Sequence, residues 1–287
     1  MSEETSEPKR ITPLNLGIAV AAILLVQFLA LLITTQNGPT YLRIVNASGY
    51  NDNFFGTTPG GSVGNALVLV AVAFALTIIL VRLLKRKMVM SFRVLIFGSL
   101  SLSSFVLTLL TADVFALRYA PSLEIPIAFG VPLAIVAAIG YTVFVRNNVW
   151  LSTTVLAFVG AEVGSFLAHA LPPQTVLALP VVFSIYDIYA VFRGPLKQLI
   201  GTAPGIALVG MSIRAGGFTL GLGDVVFYTM LPSVAYFTLG LQAAIGVVIA
   251  IDCGVAVTLF LLSKKRFLPG LPIPMSLGLA VILGAMI

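Results

Sequence analysis

Four of the ten acidic residues fall inside long apolar runs: Glu162, Asp187, Asp224 and Asp252. A carboxylate at membrane depth costs upward of about 2.5 kcal/mol to insert, so it faces the protein interior and usually serves a purpose. Asp187 lies in Ser184-Ile185-Tyr186-Asp187-Ile188-Tyr189, and Asp224 in Leu220-Gly221-Leu222-Gly223-Asp224-Val225. The Gly-x-Gly before Asp224 weakens a helix locally and lets another backbone come close. Two facing carboxylates in a low-dielectric interior cannot both ionise cheaply, so such a pair holds a shared proton. That suits general acid–base hydrolysis. The ionised member takes a proton from water, while the protonated one polarises an amide carbonyl and helps the amine leave. Which member is protonated is not fixed by sequence, because a coupled pair titrates as a unit. The same acids could instead carry protons or cations through a transporter or channel.

A third segment completes the set. Lys264-Lys265-Arg266 marks a membrane surface, and Pro269-Gly270-Leu271-Pro272-Ile273-Pro274 follows at once. Three prolines and a glycine cannot enter as a regular helix. Irregular backbone is tolerated there only where it is buried in protein or lines a cavity. The two aspartates are the nearest polar groups for it to meet.

The elements that must position these residues are membrane helices. The chain of 287 residues is 59% apolar and 9% charged, with a mean hydropathy of +1.09, against about 25% charged residues in a soluble domain. The net charge of +6 is no nucleic-acid footprint, because the basic residues sit in short clusters between apolar runs. A lone cysteine, Cys253, excludes an internal disulfide and a cysteine metal site, and a lone histidine, His169, argues against a histidine cluster. Apolar runs of about 20 residues fall near 13–35, 61–83, 90–112, 122–145, 149–171, 174–192, 216–236, 239–263 and 270–287. The expected fold is an all-α membrane protein with nine transmembrane helices. It divides into a six-helix part over 1–192, a cytoplasmic loop over 193–215 and a three-helix part over 216–287.

Lys and Arg set the orientation. A cytoplasmic N-terminus puts fourteen of the 16 on the inside and leaves only Arg43 and Arg118 outside, with the C-terminus extracytoplasmic. Arg193 is six residues past Asp187, about 9 Å along a helix. Asp224 is ten residues past Arg214, about 15 Å if all helical. Both carboxylates therefore fall in the cytoplasmic half, on neighbouring spans. Nine spans do not divide into equal inverted repeats, which weighs against a transporter.

Tyr186-Asp187, Gly221-Leu222-Gly223-Asp224 and Pro269-Gly270-Leu271-Pro272 stand in this order on spans six, seven and nine. The set resembles the presenilin and signal peptide peptidase family of intramembrane aspartyl proteases, whose members carry Tyr-Asp, Gly-x-Gly-Asp and Pro-Ala-Leu-Pro at those places in a nine-span fold. A prepilin-type peptidase shares the Gly-x-Gly-Asp but should lack the flanking motifs. The resemblance implies Asp187 and Asp224 as the catalytic pair, with Tyr186, Gly221, Leu222 and Gly223 in support. It implies that Pro269, Gly270, Leu271 and Pro272 shape the site and help dock substrate. It further implies transmembrane-helix substrates, no metal or cofactor and no obligatory partner subunit, and leaves a homo-oligomer open. The inside N-terminus matches presenilin rather than signal peptide peptidase and favours substrates whose N-terminus lies outside. Gly270 stands where the motif has alanine, and since both are small, close packing is expected to survive. With the small size and the absence of a large polar loop between spans six and seven, the resemblance implies a prokaryotic, archaeal homologue in the cell membrane. The missing loop also argues against presenilin-style autoproteolytic activation.

Other residues carry lesser expectations. Tyr186 reads equally as a packed aromatic or as a hydrogen-bond partner within the site. Glu162, among small residues that allow close helix approach, and Asp252 read as structural or cavity-facing rather than catalytic. His169 reads as interfacial, and Pro180 as a kink. Gly205 to Ile213 is apolar and β-tolerant, and is expected to order as a strand against an unwound substrate.

Overall fold

The computed structural model describes residues 12–47, 58–145, 148–193, 210–263 and 268–287. The helices α1 (Pro13–Ala47), α2 (Pro59–Lys85), α6 (Pro173–Phe192) and α9 (Pro272–Met286) each begin at a proline, whose fixed φ and missing N–H suit the first helical position. Between them lie α3 (Val89–Tyr119), α4 (Glu124–Gly140, continued by a π turn over Tyr141–Val145), α5 (Val149–Ala170), α7 (Leu222–Leu239) and α8 (Leu241–Leu262). Side chains cap two of the starts: Gly61 N–H donates to Thr58 Oγ1 at 3.1 Å, and Trp150 N–H to Asn148 Oδ1 at 3.1 Å. Among the described residues eight helices are long and apolar enough to cross a membrane, and α9, with 15 residues, is the short ninth. The expectation of nine helices therefore holds for the described chain.

Helices α5 and α7 are the most buried of the eight and form the centre of the bundle. They cross closely because Gly160 and Gly164 present no side chain. A Cβ on Gly164 would overlap Thr229 Oγ1 and come within 2.7 Å of the Val226 carbonyl. Thr229 Oγ1 also donates across the crossing to the Gly160 carbonyl at 3.1 Å. Without a hydrophobic force between helices in lipid, such backbone proximity and interhelical hydrogen bonds hold the bundle. A second tight crossing sets α9. A Cβ on Gly254 of α8 would lie 2.5 Å from Pro274 Cα. Helix α7 packs in addition on α1, α8, α9 and α6.

The chain departs from expectation before α7. Span seven does not start at 216. Residues 212–221 form an antiparallel hairpin, β1 (Ser212–Ala215) and β2 (Phe218–Gly221), so the division at 215/216 falls at the edge of its turn. Gly216 and Gly217 supply φ values of +58° and +82° at the two loop positions, as the preferred two-residue hairpin turn demands. The pairs Ile213–Leu220 and Ala215–Phe218 share a buried face, and exposed Arg214 and Thr219 lie opposite each other on the other. The hairpin is pinned at its turn and along β1. Its turn packs so tightly on the start of α1 that a Cβ on Gly216 would overlap the Asn15 carbonyl. Thr153 of α5 bonds the backbone N–H and carbonyl of Arg214, each at 3.2 Å. Of the stretch expected to order as a strand, Ser212 and Ile213 belong to β1. Gly205 to Val209, like Lys264-Lys265-Arg266, lies outside the described residues.

Candidate active site

The hairpin delivers the chain directly into α7. Gly221 is the N-cap, and Asp224 is the third residue of the first turn, where the helix N-terminus favours a carboxylate. The Asp224 side chain turns back on its own cap, so that a Cβ on Gly221 would sit 3.2 Å from Oδ2. Asp187 occupies the last turns of α6, five residues before its end at Phe192. Both carboxylates are half-buried, and Asp224 lies within electrostatic reach of Asp187. One turn deeper, Phe183 of α6 and Phe227 of α7 meet with ring centroids 4.8 Å apart, which ties the two helices together under the pair.

The Pro-Gly-Leu-Pro segment fits between the aspartates. Pro269 and Pro272 have no N–H, so the segment offers only the donors of Gly270 and Leu271. Leu271 N–H donates to Asp187 Oδ2 at 3.1 Å. On the other side a Cβ on Gly270 would lie 2.5 Å from Asp224 Oδ2. That oxygen is the end of a rotatable side chain, so alanine at 270 would ask the Asp224 carboxylate to turn aside. Prolines at the first and third positions of α9 also remove two of the N–H groups that a helix start leaves without partners.

Other expected site residues have different surroundings. Tyr186 turns away from the pair: its hydroxyl lies 3.3 Å from Thr77 Oγ1 on α2, and its ring meets Phe74 and Phe183 edge-on. Leu222 packs on α5, its Cδ1 3.4 Å from where a Gly160 Cβ would stand. Gly223 is exposed, and a Cβ there meets nothing within 4 Å. Leucine at Gly223 is therefore expected to leave thermal stability unchanged and to lower turnover about tenfold by filling the space beside Asp224. Turnover and melting of the purified variant check this.

Glu162 is fully buried and accepts from Thr108 Oγ1 of α3 at 2.8 Å. Asp252 is buried on α8, and neither of its oxygens has a partner among the described residues. His169 stands in the last turn of α5. It is buried, with Nδ1 2.8 Å from the Ser165 carbonyl and its ring between Tyr41 and Phe237. An apolar cavity of about 290 Å³ lies behind the hairpin, lined by Ile23, Val26, Ile213, Leu220 and Val225 among others. Its lining is unsuited to carry water to the aspartates. Sequence reasoning missed Tyr228, whose hydroxyl donates to the Gly270 carbonyl at 2.8 Å. The signal was its spacing of four from Asp224, which places both on one helix face.

A sequence model of presenilin matches residues 9–205. The chain belongs to the presenilin family. The match includes Tyr186-Asp187 and ends before Gly221-Leu222-Gly223-Asp224 and Pro269-Gly270-Leu271-Pro272, so those two motifs stand on the geometry above. Presenilin-B of Dictyostelium discoideum is 35% identical over 119 residues, which are 38% of this chain and 25% of that protein. The chain thus spans about a quarter of the length of that relative. Two crystal forms of a presenilin family intramembrane aspartate protease, in space groups C222 and P2, superpose with a TM-score of 0.62 at 20% identity. They cover 93% of this chain and 96% and 95% of theirs, so the presenilin fold extends over the C-terminal helices as well. With eight long apolar helices, this presenilin-family chain is a multi-pass integral membrane protein.

Proposed function

We propose that the chain is an intramembrane aspartyl endopeptidase that hydrolyses peptide bonds within transmembrane segments, with Asp187 and Asp224 as its catalytic pair. One observation carries this reading. Two carboxylates on adjacent helices flank a single stretch of irregular backbone, Gly270-Leu271, that touches both. The ionised aspartate takes a proton from water as the water oxygen attacks the scissile carbonyl carbon. The protonated aspartate gives its proton to the carbonyl oxygen, forming a tetrahedral diol. Collapse of the diol breaks the C–N bond, and the amine leaves with a proton returned from the pair. The chemistry needs only the pair and water.

The excess of Lys and Arg on one side supports a cytoplasmic N-terminus and a site in the cytoplasmic half of the membrane, and likeness to presenilin supports substrates whose N-terminus lies outside. The substrate must unwind to expose a peptide bond, and Gly223 borders open space where an extended segment could lie. The test is cleavage of a transmembrane peptide by the purified protein in lipid, with products identified by mass spectrometry. The expected pH profile is bell-shaped, because one aspartate must be charged and the other protonated. A chain that cuts nothing but moves protons or cations across liposomes would be a transporter instead.

A further inference from the structure

The Gly270 carbonyl and the Leu271 N–H belong to one peptide unit. In a trans peptide the two point to opposite sides. Here the N–H goes to Asp187 on α6 and the carbonyl to the Tyr228 hydroxyl on α7. A single peptide plane therefore spans the gap between the two aspartate helices, held at one end by an aspartate and at the other by a tyrosine one turn past the second aspartate. Tyr228 is 1% exposed and lies within electrostatic reach of both carboxylates. Its ring is fixed in the main core cluster with Leu231, Met275 and Leu271. Pro274 has no N–H to donate to the Gly270 carbonyl, and the first helical bond, Met275 N–H to the Leu271 carbonyl at 3.0 Å, belongs to the next peptide, so no helical bond to that carbonyl sets the tilt of the plane.

We infer that Tyr228 is a positioning residue for the reaction: its hydroxyl sets the orientation of the Gly270–Leu271 peptide, which in turn aims Leu271 N–H at Asp187 and seats Gly270 against Asp224. This rests on the peptidase reading above. Rotation of the plane would withdraw the donor from Asp187 and move the Gly270 backbone relative to the Asp224 carboxylate, so both members of the pair would lose their alignment together. The hydroxyl acts through the peptide and has no step of its own in the chemistry.

Tyr228→Phe removes the hydroxyl and keeps the ring. Two readouts are taken on the purified full chain in lipid: steady-state cleavage of a transmembrane peptide, and hydrogen–deuterium exchange of the segment that contains Leu271. The variant is expected to lose about tenfold in kcat with KM unchanged, to exchange faster at Leu271, and to melt no more than about 5 °C below the parent. Tyr236→Phe, further along α7, is expected to match the parent in every respect. An unchanged kcat with unchanged exchange overturns the inference. A large fall in melting temperature overturns it too, since the hydroxyl would then be holding the fold rather than the peptide. If the parent cuts no peptide, the peptidase reading fails and exchange alone decides: faster exchange at Leu271 upholds the clamp, and unchanged exchange refutes it.

Discussion

Asp224→Asn abolishes turnover, by at least about 10³-fold, and leaves the protein folded. Asparagine matches aspartate in shape but can neither hold nor pass the proton that the pair shares. Nothing in the packing opposes the exchange. The side chain lies against Gly221 and Gly270, positions that offer it backbone but no side chain, and a neutral amide is easier to hold at membrane depth than a charge. Asp187→Asn has the same kinetic outcome, and its amide oxygen can still accept Leu271 N–H. Asp187→Ala differs, because it leaves that N–H without an acceptor. It is expected to cost a further 1–3 kcal/mol or so of stability beyond the lost activity. Single-turnover cleavage followed by mass spectrometry measures the first effect, and thermal unfolding in detergent the second. An Asp224→Asn protein that unfolds would mean that the carboxylate holds the helix start rather than the chemistry.

Gly164→Leu is expected to cost about 3 kcal/mol or more, the upper range for overpacking. Its Cβ alone would overlap Thr229 Oγ1 and stand 2.7 Å from the Val226 carbonyl and 3.0 Å from Met230 N. The last two are backbone atoms of α7 and cannot swing aside as a side chain can. The two most buried helices must therefore separate, which breaks the Thr229 bond to Gly160 and shifts the helix that starts at Asp224. Low yield, a lower melting point and lost cleavage should appear together. A parent-like melting point would show that the α5–α7 crossing is looser than the glycines indicate. The contrast with Gly223→Leu is the informative one, since leucine there enters open space and should affect turnover alone.

The helical scaffold and the two aspartates were legible in the sequence for a simple physical reason. A carboxylate in an apolar run is costly enough to stand out, and so is a proline cluster at a membrane surface. Less of the rest could be read. Hairpin 212–221 escaped because Phe218, Leu220 and Leu222 continue the apolarity of α7 without a break, and only Gly216-Gly217 marks the turn. Tyr228 carries only its spacing of four from Asp224 as a signal, because its partner is a backbone carbonyl. Tyr186 was balanced between packing and chemistry, and its contact with Thr77 lies across a helix pair that sequence does not reveal. His169 sits near a helix end but is covered by Tyr41 and Phe237, one from a remote span. Gly270 is the subtler case: its small size was plain, but that the missing methyl makes room for Asp224 Oδ2 required the geometry.

The most direct test is cleavage in water enriched in oxygen-18. The purified chain, in lipid vesicles, receives a transmembrane peptide, and the products are weighed. The expected result is a pair of fragments cut within the apolar segment, with one oxygen-18 in the new carboxyl terminus, formed by the parent and by neither Asp187→Asn nor Asp224→Asn. Equal cleavage by either variant, or cuts confined to the polar flanks, would contradict the account.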